Sequence, residues 1–222
     1  MNNRNKIILS FDLDFTLIDN REGIINSFNY TFQKHNIPNM KREELEKTIG
    51  TPLFEIFANL SNKNPSILID TFREFYSSEG IYQVKLLPGS RKKVEELSNS
   101  FTLGVITSKK EEMAVKLLKY LKIDHFFDFI LGESSGRTSK TDPNLIKYLI
   151  SLYPQSKFLI VGDHPNDRRL AELLKCPFIG VLTGTHTGEQ LKVNSITKTI
   201  ILESINEITI DKIYRLFRDN NY

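Results

Sequence analysis

The feature that most constrains this chain is an alternation. Short apolar runs of strand length are followed by stretches whose apolar residues recur every three or four positions. Residues 6–11, 102–107, 127–131, 157–161 and 178–182 read as buried strands. Residues 90–98, 111–121, 143–152 and 165–174 read as helices, with Val115, Leu118 and Leu121 recurring at helical spacing. A weaker strand is expected at 199–201 and a last helix at 211–218. Parallel strands need long crossovers, and helices of this length supply them, so the pattern predicts a parallel sheet with helices on both faces.

One stretch breaks the alternation. Residues 21–86 hold helical patterns but no strand. Ile24, Ile25 and Phe28 share a face, and further helical patterns cover 45–49, 54–60 and 67–76. Asn36-Ile37-Pro38 and residues 62–65 separate them, and Leu87-Pro88-Gly89 marks the return to the sheet. The expected fold is therefore α/β: a Rossmann-like parallel core formed by residues 1–18 and 87–222, with a small α-helical domain, 19–86, inserted after the first strand. Phe54, Phe57, Phe72, Phe75 and Tyr76 are expected to form the core of that insert.

Composition removes several function classes. The net charge is +3, but basic residues are interleaved with acids, as in Lys109-Lys110-Glu111-Glu112, so no nucleic-acid partner is expected. A single cysteine, Cys176, excludes a disulfide framework and reads as a small buried residue. The apolar run Ile7-Ile8-Leu9 is too short for a secretion signal, and no segment approaches the length of a membrane span. The expectation is a cytoplasmic protein without a membrane partner; a homodimer is left open.

In open α/β sheets ligands gather beyond the carboxyl ends of the strands. There the first strand offers Asp12-Leu13-Asp14-Phe15-Thr16, and the second Thr107-Ser108-Lys109. The fourth offers Gly162-Asp163-His164-Pro165-Asn166-Asp167, and Lys140 falls in the loop before the fourth helix. Carboxylates crowded at one edge repel unless a cation joins them, and oxygen ligands of this kind suit Mg²⁺. Thr107, Ser108 and Lys140 would offer hydroxyl, backbone N–H and ammonium donors to phosphate oxygens, beside a helix N-terminus. Asp19 and Asp142 read as turn or cap residues, and Lys110 as solvent-facing. His164 reads as exposed beside the acidic cluster, and His35, His125 and His186 as structural or exposed.

Taken in order, Asp-x-Asp-x-Thr, Thr-Ser, Lys and Gly-Asp-x-x-x-Asp resemble the four motifs of the haloacid dehalogenase-like hydrolase superfamily, over nearly the whole chain. The helical insert, with Ile49-Gly50-Thr51-Pro52-Leu53 as its loop near substrate, is similar to the cap of the phosphoglycolate phosphatase and β-phosphoglucomutase branch. Two positions depart from the pattern: Phe15 stands where the family usually has Gly, and Thr141 where it usually has Pro.

The resemblance implies an enzyme acting on a small phosphorylated metabolite. Asp12 would be the nucleophile that forms an aspartyl-phosphate, and Asp14 the general acid and base. Thr107 and Lys140 would stabilise phosphoryl charge. Mg²⁺ would be held by Asp12, Asp14 (through its carbonyl), Asp163 and Asp167, the last as a ligand or as a residue orienting metal-bound water. Thr16, Ser108, Lys109 and Gly50 are expected near phosphate or substrate, Thr16 more as a brace for the Asp12 loop. By the same resemblance the cap would close over the site and select the leaving group. The expected reaction is hydrolysis of a small phosphomonoester of the phosphoglycolate type. A phosphomutase passing the phosphoryl group to a sugar hydroxyl is the alternative with the same chemistry. From a different class come a receiver-like switch and a non-catalytic homologue. The receiver reading conflicts with an acceptor after the first strand, and the intact set of acids argues against the other.

Overall fold

The structure, a computed structural model, describes residues 7–49, 53–137 and 139–218. Its chain divides into two compact units, Met1–Ile18 with Leu86–Tyr222, and Asp19–Lys85.

The larger unit is built on a sheet. The first strand is β1 (Ile7–Phe11); β2 (Ile18–Asp19) and β3 (Lys85–Leu86) pair as a short separate ribbon. The remaining strands are β4 (Thr102–Lys110), β5 (Phe129–Glu133), β6 (Lys157–Gly162), β7 (Phe178–Val181) and β8 (Thr199–Leu202). Six of them form one sheet in the order β5-β4-β1-β6-β7-β8, with every pairing parallel. Helices α5 (Ser90–Ser98), α6 (Glu111–Tyr120), α7 (Pro143–Leu152), α8 (Pro165–Leu173), α9 (Gly188–Lys192) and α10 (Ile210–Arg218) make the connections and the tail. This is the α/β, Rossmann-like class that the alternation predicts.

Burial explains why the strands read as continuous apolar runs. All five residues of β1 are buried, as expected for a central strand covered on both faces. Ile8, Ile160 and Phe178 from the sheet pack with Leu145 and Leu149 of α7, Leu170 and Ala171 of α8 and Leu191 of α9. Cys176 is buried in the same cluster, as its sequence context suggests, and burial pushes its thiol pKa up. The helices begin where local chemistry dictates. Asp142 accepts from the Asn144 backbone at 2.8 Å and is followed by Pro143 in the first turn of α7, so it is a cap.

The expectation of no strand within 21–86 is corrected at its end, where Lys85–Leu86 pairs with Ile18–Asp19, and the largest differences at strand boundaries fall in β4 and β5. β4 continues to Lys110, because a register shift between Ile106 and Lys110 lets the strand bend and still pair Lys110 with Glu133. β5 starts later, because Asp124–Phe126 forms a 3₁₀ turn ahead of it.

The smaller unit contains α1 (Arg21–Lys34), α2 (Arg42–Thr48), α3 (Leu53–Leu60) and α4 (Pro65–Ser78), then a 3₁₀ turn at Gly80–Tyr82. Its core centres on Phe28, whose ring lies 4.9 Å from Phe72, 5.5 Å from Phe57 and 6.0 Å from Phe32, centroid to centroid. Phe57 and Phe72 are buried as expected. Phe54 is not: it is 57% exposed, because the face of α3 that meets Phe28 carries Ile56 and Phe57. Phe75 is half-buried and stacks on Tyr30 at 4.8 Å, at the margin of this core. No described helix is long and apolar enough to cross a membrane.

Candidate active site

Strand order creates the site. From β1 the chain first builds β4 and β5 on one side, then crosses to build β6, β7 and β8 on the other. The carboxyl end of β1 is therefore the switch point, where a crevice forms because neighbouring connections leave in opposite directions. Asp12 occupies it. Its backbone N–H donates to the Val161 carbonyl at 2.8 Å, continuing the β1–β6 ladder, so its side chain is fixed by the sheet and buried.

Residues distant in sequence meet there. Lys140 Nζ lies 2.5 Å from Asp12 Oδ1 and 2.7 Å from Asp167 Oδ1. Asp167 is in the first turn of α8, and its Oδ2 accepts the His164 N–H at 3.1 Å in a capping box. Asp163, directly after β6, accepts a hydrogen bond from Thr16 Oγ1 at 3.0 Å. Ligand atoms of Asp12, Asp163 and Asp167 all lie within 4.8 Å of one another. On the rim, Lys109 Nζ lies 3.3 Å from Asp14 Oδ2.

The charges do not cancel. With all three ionised, the buried carboxylates that meet one buried ammonium leave an excess of two negative charges, the amount a divalent cation carries. Crowding and burial make that charge costly without a cation. Burial raises the Asp12 pKa well above the usual carboxylate value; Lys140 opposes this, while Asp167, Asp163 and Asp14 add to it. Asp163 is pushed up to about 7, by burial first and by Asp167 next. Burial alone would lower the Lys140 pKa, but Asp12 and Asp167 more than reverse that and keep it an ammonium. An all-oxygen donor set with uncompensated charge is chemically suited to a hard divalent cation.

The loop after Asp12 is held in an unusual shape. Phe15 has φ 57°, in the left-handed region that non-glycine residues adopt only at a cost of about 1–2 kcal/mol. Its N–H donates to the Ile18 carbonyl at 2.8 Å, and its carbonyl accepts from Thr183 Oγ1 at 2.5 Å. The departure from Gly noted at this position thus falls where the backbone favours glycine. Phe15 is buried, and its apolar contact offsets the backbone cost.

Thr183 belongs to a loop after β7 that carries no charged motif in the sequence. Gly184, next to it, passes so close that a Cβ there would lie 1.9 Å from Asp163 Oδ2. Gly162 serves Asp167 in the same way, with a would-be Cβ 2.3 Å from the carboxyl carbon. The available signal was the strand-end rule, which applies equally to the fifth predicted strand. Gly184→Ala is expected to displace the Asp163 carboxylate and to lower stability by about 1–3 kcal/mol, as overpacking does; urea unfolding measures this.

The remaining expectations divide. Thr16 is fully buried with its hydroxyl committed to Asp163, so it braces the site and has no surface for a phosphate. Thr107 is buried at the end of β4's regular pairing, and its Oγ1 accepts the Lys109 N–H at 3.2 Å. Ser108 is exposed. Gly50 lies outside the described residues. His164 is half-buried rather than exposed: its Nδ1 accepts the Asn166 N–H at 3.0 Å. Burial lowers its pKa; Asp167 opposes this, and His186 and Lys140 add smaller contributions in the same direction as burial. His186 packs edge-on against it at 4.5 Å.

The fold and the site together define a Rossmann-like α/β enzyme with an acidic centre at the switch point of its sheet. A sequence model of the haloacid dehalogenase-like hydrolase family matches residues 8–181, and the chain belongs to that family. Among curated relatives, pyrophosphatase PpaX of Oceanobacillus iheyensis is 31% identical over 161 residues, 71% of this chain and 74% of the relative. Pyrophosphatase PpaX of Halalkalibacterium halodurans is 30% identical over 160 residues, again 71% and 74%. A solved haloacid dehalogenase-like hydrolase family protein from Streptococcus pneumoniae superposes with a TM-score of 0.81 at 28% identity. It covers 98% of this chain and 100% of its own.

Proposed function

We propose that this chain is a Mg²⁺-dependent phosphatase that hydrolyses a small phosphate compound through an aspartyl-phosphate on Asp12. The observation that carries the reading is the buried Asp12–Lys140–Asp167 contact beside Asp163, with two negative charges in excess. Family membership and relatives named as pyrophosphatases support a phosphoryl substrate.

The steps balance on this chain's own residues. An Asp12 oxygen attacks phosphorus, the bond to the leaving oxygen breaks, and Asp14 gives that oxygen its proton. Asp14 then takes a proton from water, the water oxygen attacks phosphorus, the Asp12–phosphorus bond breaks and phosphate leaves. Thr107 and Lys140 supply donors to the phosphoryl oxygens. Asp12, Asp163 and the Asp14 carbonyl would hold the cation, with Asp167 completing the set or orienting its water. When bound, the cation supplies positive charge that reduces repulsion between carboxylate and phosphate.

The test is phosphate release from inorganic pyrophosphate, phosphoglycolate, sugar phosphates and nucleotides, with Mg²⁺ and with EDTA. Mg²⁺-dependent release from at least one compound is expected, and its ranking names the substrate. Folded protein with no release from any of them would overturn the reading.

A stability measurement probes the cation independently. Without cation, the folded-state pKa of Asp163, about 7, lies above the unfolded value of about 3.9. The folded form therefore holds its proton more tightly. That contribution is fully present below about pH 4 and is lost as pH rises through about 7. A cation competes with the same proton. In EDTA the thermal midpoint is expected to fall between about pH 5.5 and about pH 8 through this group. The gain from saturating Mg²⁺ should widen over the same interval; a gain that does not change with pH would count against Asp163 as a ligand.

A further inference from the structure

Lys109 stands at the rim of the site, with its ammonium on the carboxylate of Asp14. The two are 3.3 Å apart, and their side chains are 11% and 26% exposed. Both partners are held by backbone structure. Lys109 lies in the stretch where β4 shifts register between Ile106 and Lys110, and its N–H donates to Thr107 Oγ1 at 3.2 Å. Asp14 forms a bridge with Ile18 and precedes Phe15, whose left-handed backbone is held by Ile18 and Thr183.

An aspartate side chain at a rim can rotate among several rotamers, and an ion pair restricts it to one. The Lys109 ammonium holds the Asp14 carboxylate at a fixed place. A regular strand would place Lys109 on the same face as Thr107, and the register shift is the local freedom that carries its side chain to Asp14.

We propose that Lys109 is a positioning residue that holds Asp14 for proton transfer to the leaving oxygen, rather than a phosphate ligand. This rests on the phosphatase reading above. Its signature is selective: an alkyl leaving oxygen is strongly basic and needs the proton, whereas a nitrophenolate leaves without one.

The experiment compares kcat/KM for phosphoglycolate and for p-nitrophenyl phosphate in the native chain, Lys109→Met and Lys109→Arg. This ratio reports only steps up to departure of the leaving group, so later hydrolysis does not mask the effect. Lys109→Met is expected to lower the alkyl-to-aryl ratio by about tenfold or more, and Lys109→Arg to restore most of it. Equal losses on both esters, as a structural or phosphate-binding role requires, would overturn the proposal. A native chain that releases phosphate from neither ester with Mg²⁺ present fails the phosphatase reading itself, a result separable from any ratio between variants.

Discussion

Asp12→Asn is expected to reduce Mg²⁺-dependent phosphate release by about 10³-fold or more while leaving the protein folded. The substitution keeps the shape of the side chain and removes the nucleophilic oxygen charge. It also removes one of three carboxylates that crowd the switch point, where burial and the neighbouring acids already disfavour ionisation of Asp12. The effect on stability should therefore have the opposite sign to the effect on rate. In EDTA near neutral pH the variant should unfold at the same temperature as the native chain or higher, since two carboxylates facing Lys140 are closer to balance than three. In Mg²⁺ the order should reverse, because the native chain gains more from the cation. Rate assays and thermal unfolding in both buffers check this. A variant that retains a tenth of native activity would remove Asp12 from the nucleophile role.

Lys140→Met carries the largest expected cost to the fold. Lys140 Nζ sits between Asp12 and Asp167 at 2.5 and 2.7 Å, with almost no exposed surface. Replacing it by an apolar chain of similar length leaves the two carboxylates buried without a counter-charge. Breaking a buried pair in this way costs about 3–5 kcal/mol, and partial protonation of Asp12 recovers some of it. In a chain of this size a loss of about 3 kcal/mol lowers the thermal midpoint by roughly 6–12 °C. Mg²⁺ should restore more stability to this variant than to the native chain, because the excess negative charge is one unit larger. Activity should fall by about 10²–10³-fold even where the cation restores the fold, since the phosphoryl oxygens lose a charged donor. Full activity in the refolded variant would leave Lys140 with a structural role alone.

The fold was legible in the sequence wherever burial sets the pattern. β1 is a run of apolar residues because a central parallel strand is covered on both faces, and α7 announces itself by Asp142 and Pro143 at its start. The candidate site residues were readable for a similar reason, since Asp12 and Asp163 directly follow strands and Asp167 sits in the first turn of a helix whose start is readable. Contacts were not. Lys140 meets Asp12 only because strand order brings the loop before α7 back over β1, and no local rule gives strand order. The hydroxyl of Thr16 finds Asp163 across 147 positions, and that contact decides between bracing and phosphate binding.

What escaped the sequence is backbone shape and close approach. Lys109 reaches Asp14 across a register shift in β4, and apolar spacing carries no mark of a shift. The loop after β7 contributes Thr183 to the Phe15 carbonyl and Gly184 against Asp163, although neither residue belongs to a charged motif. The exposure of Phe54 turns on which face of a two-turn helix meets Phe28. Sequence alone therefore determined the layer order and which polar residues stand near the ends of elements, because periodicity and element ends are local properties of the chain. Tertiary structure alone decided which of those groups touch, and so how many negative charges gather against one lysine, because distances between residues far apart in sequence are set by the packing of whole elements.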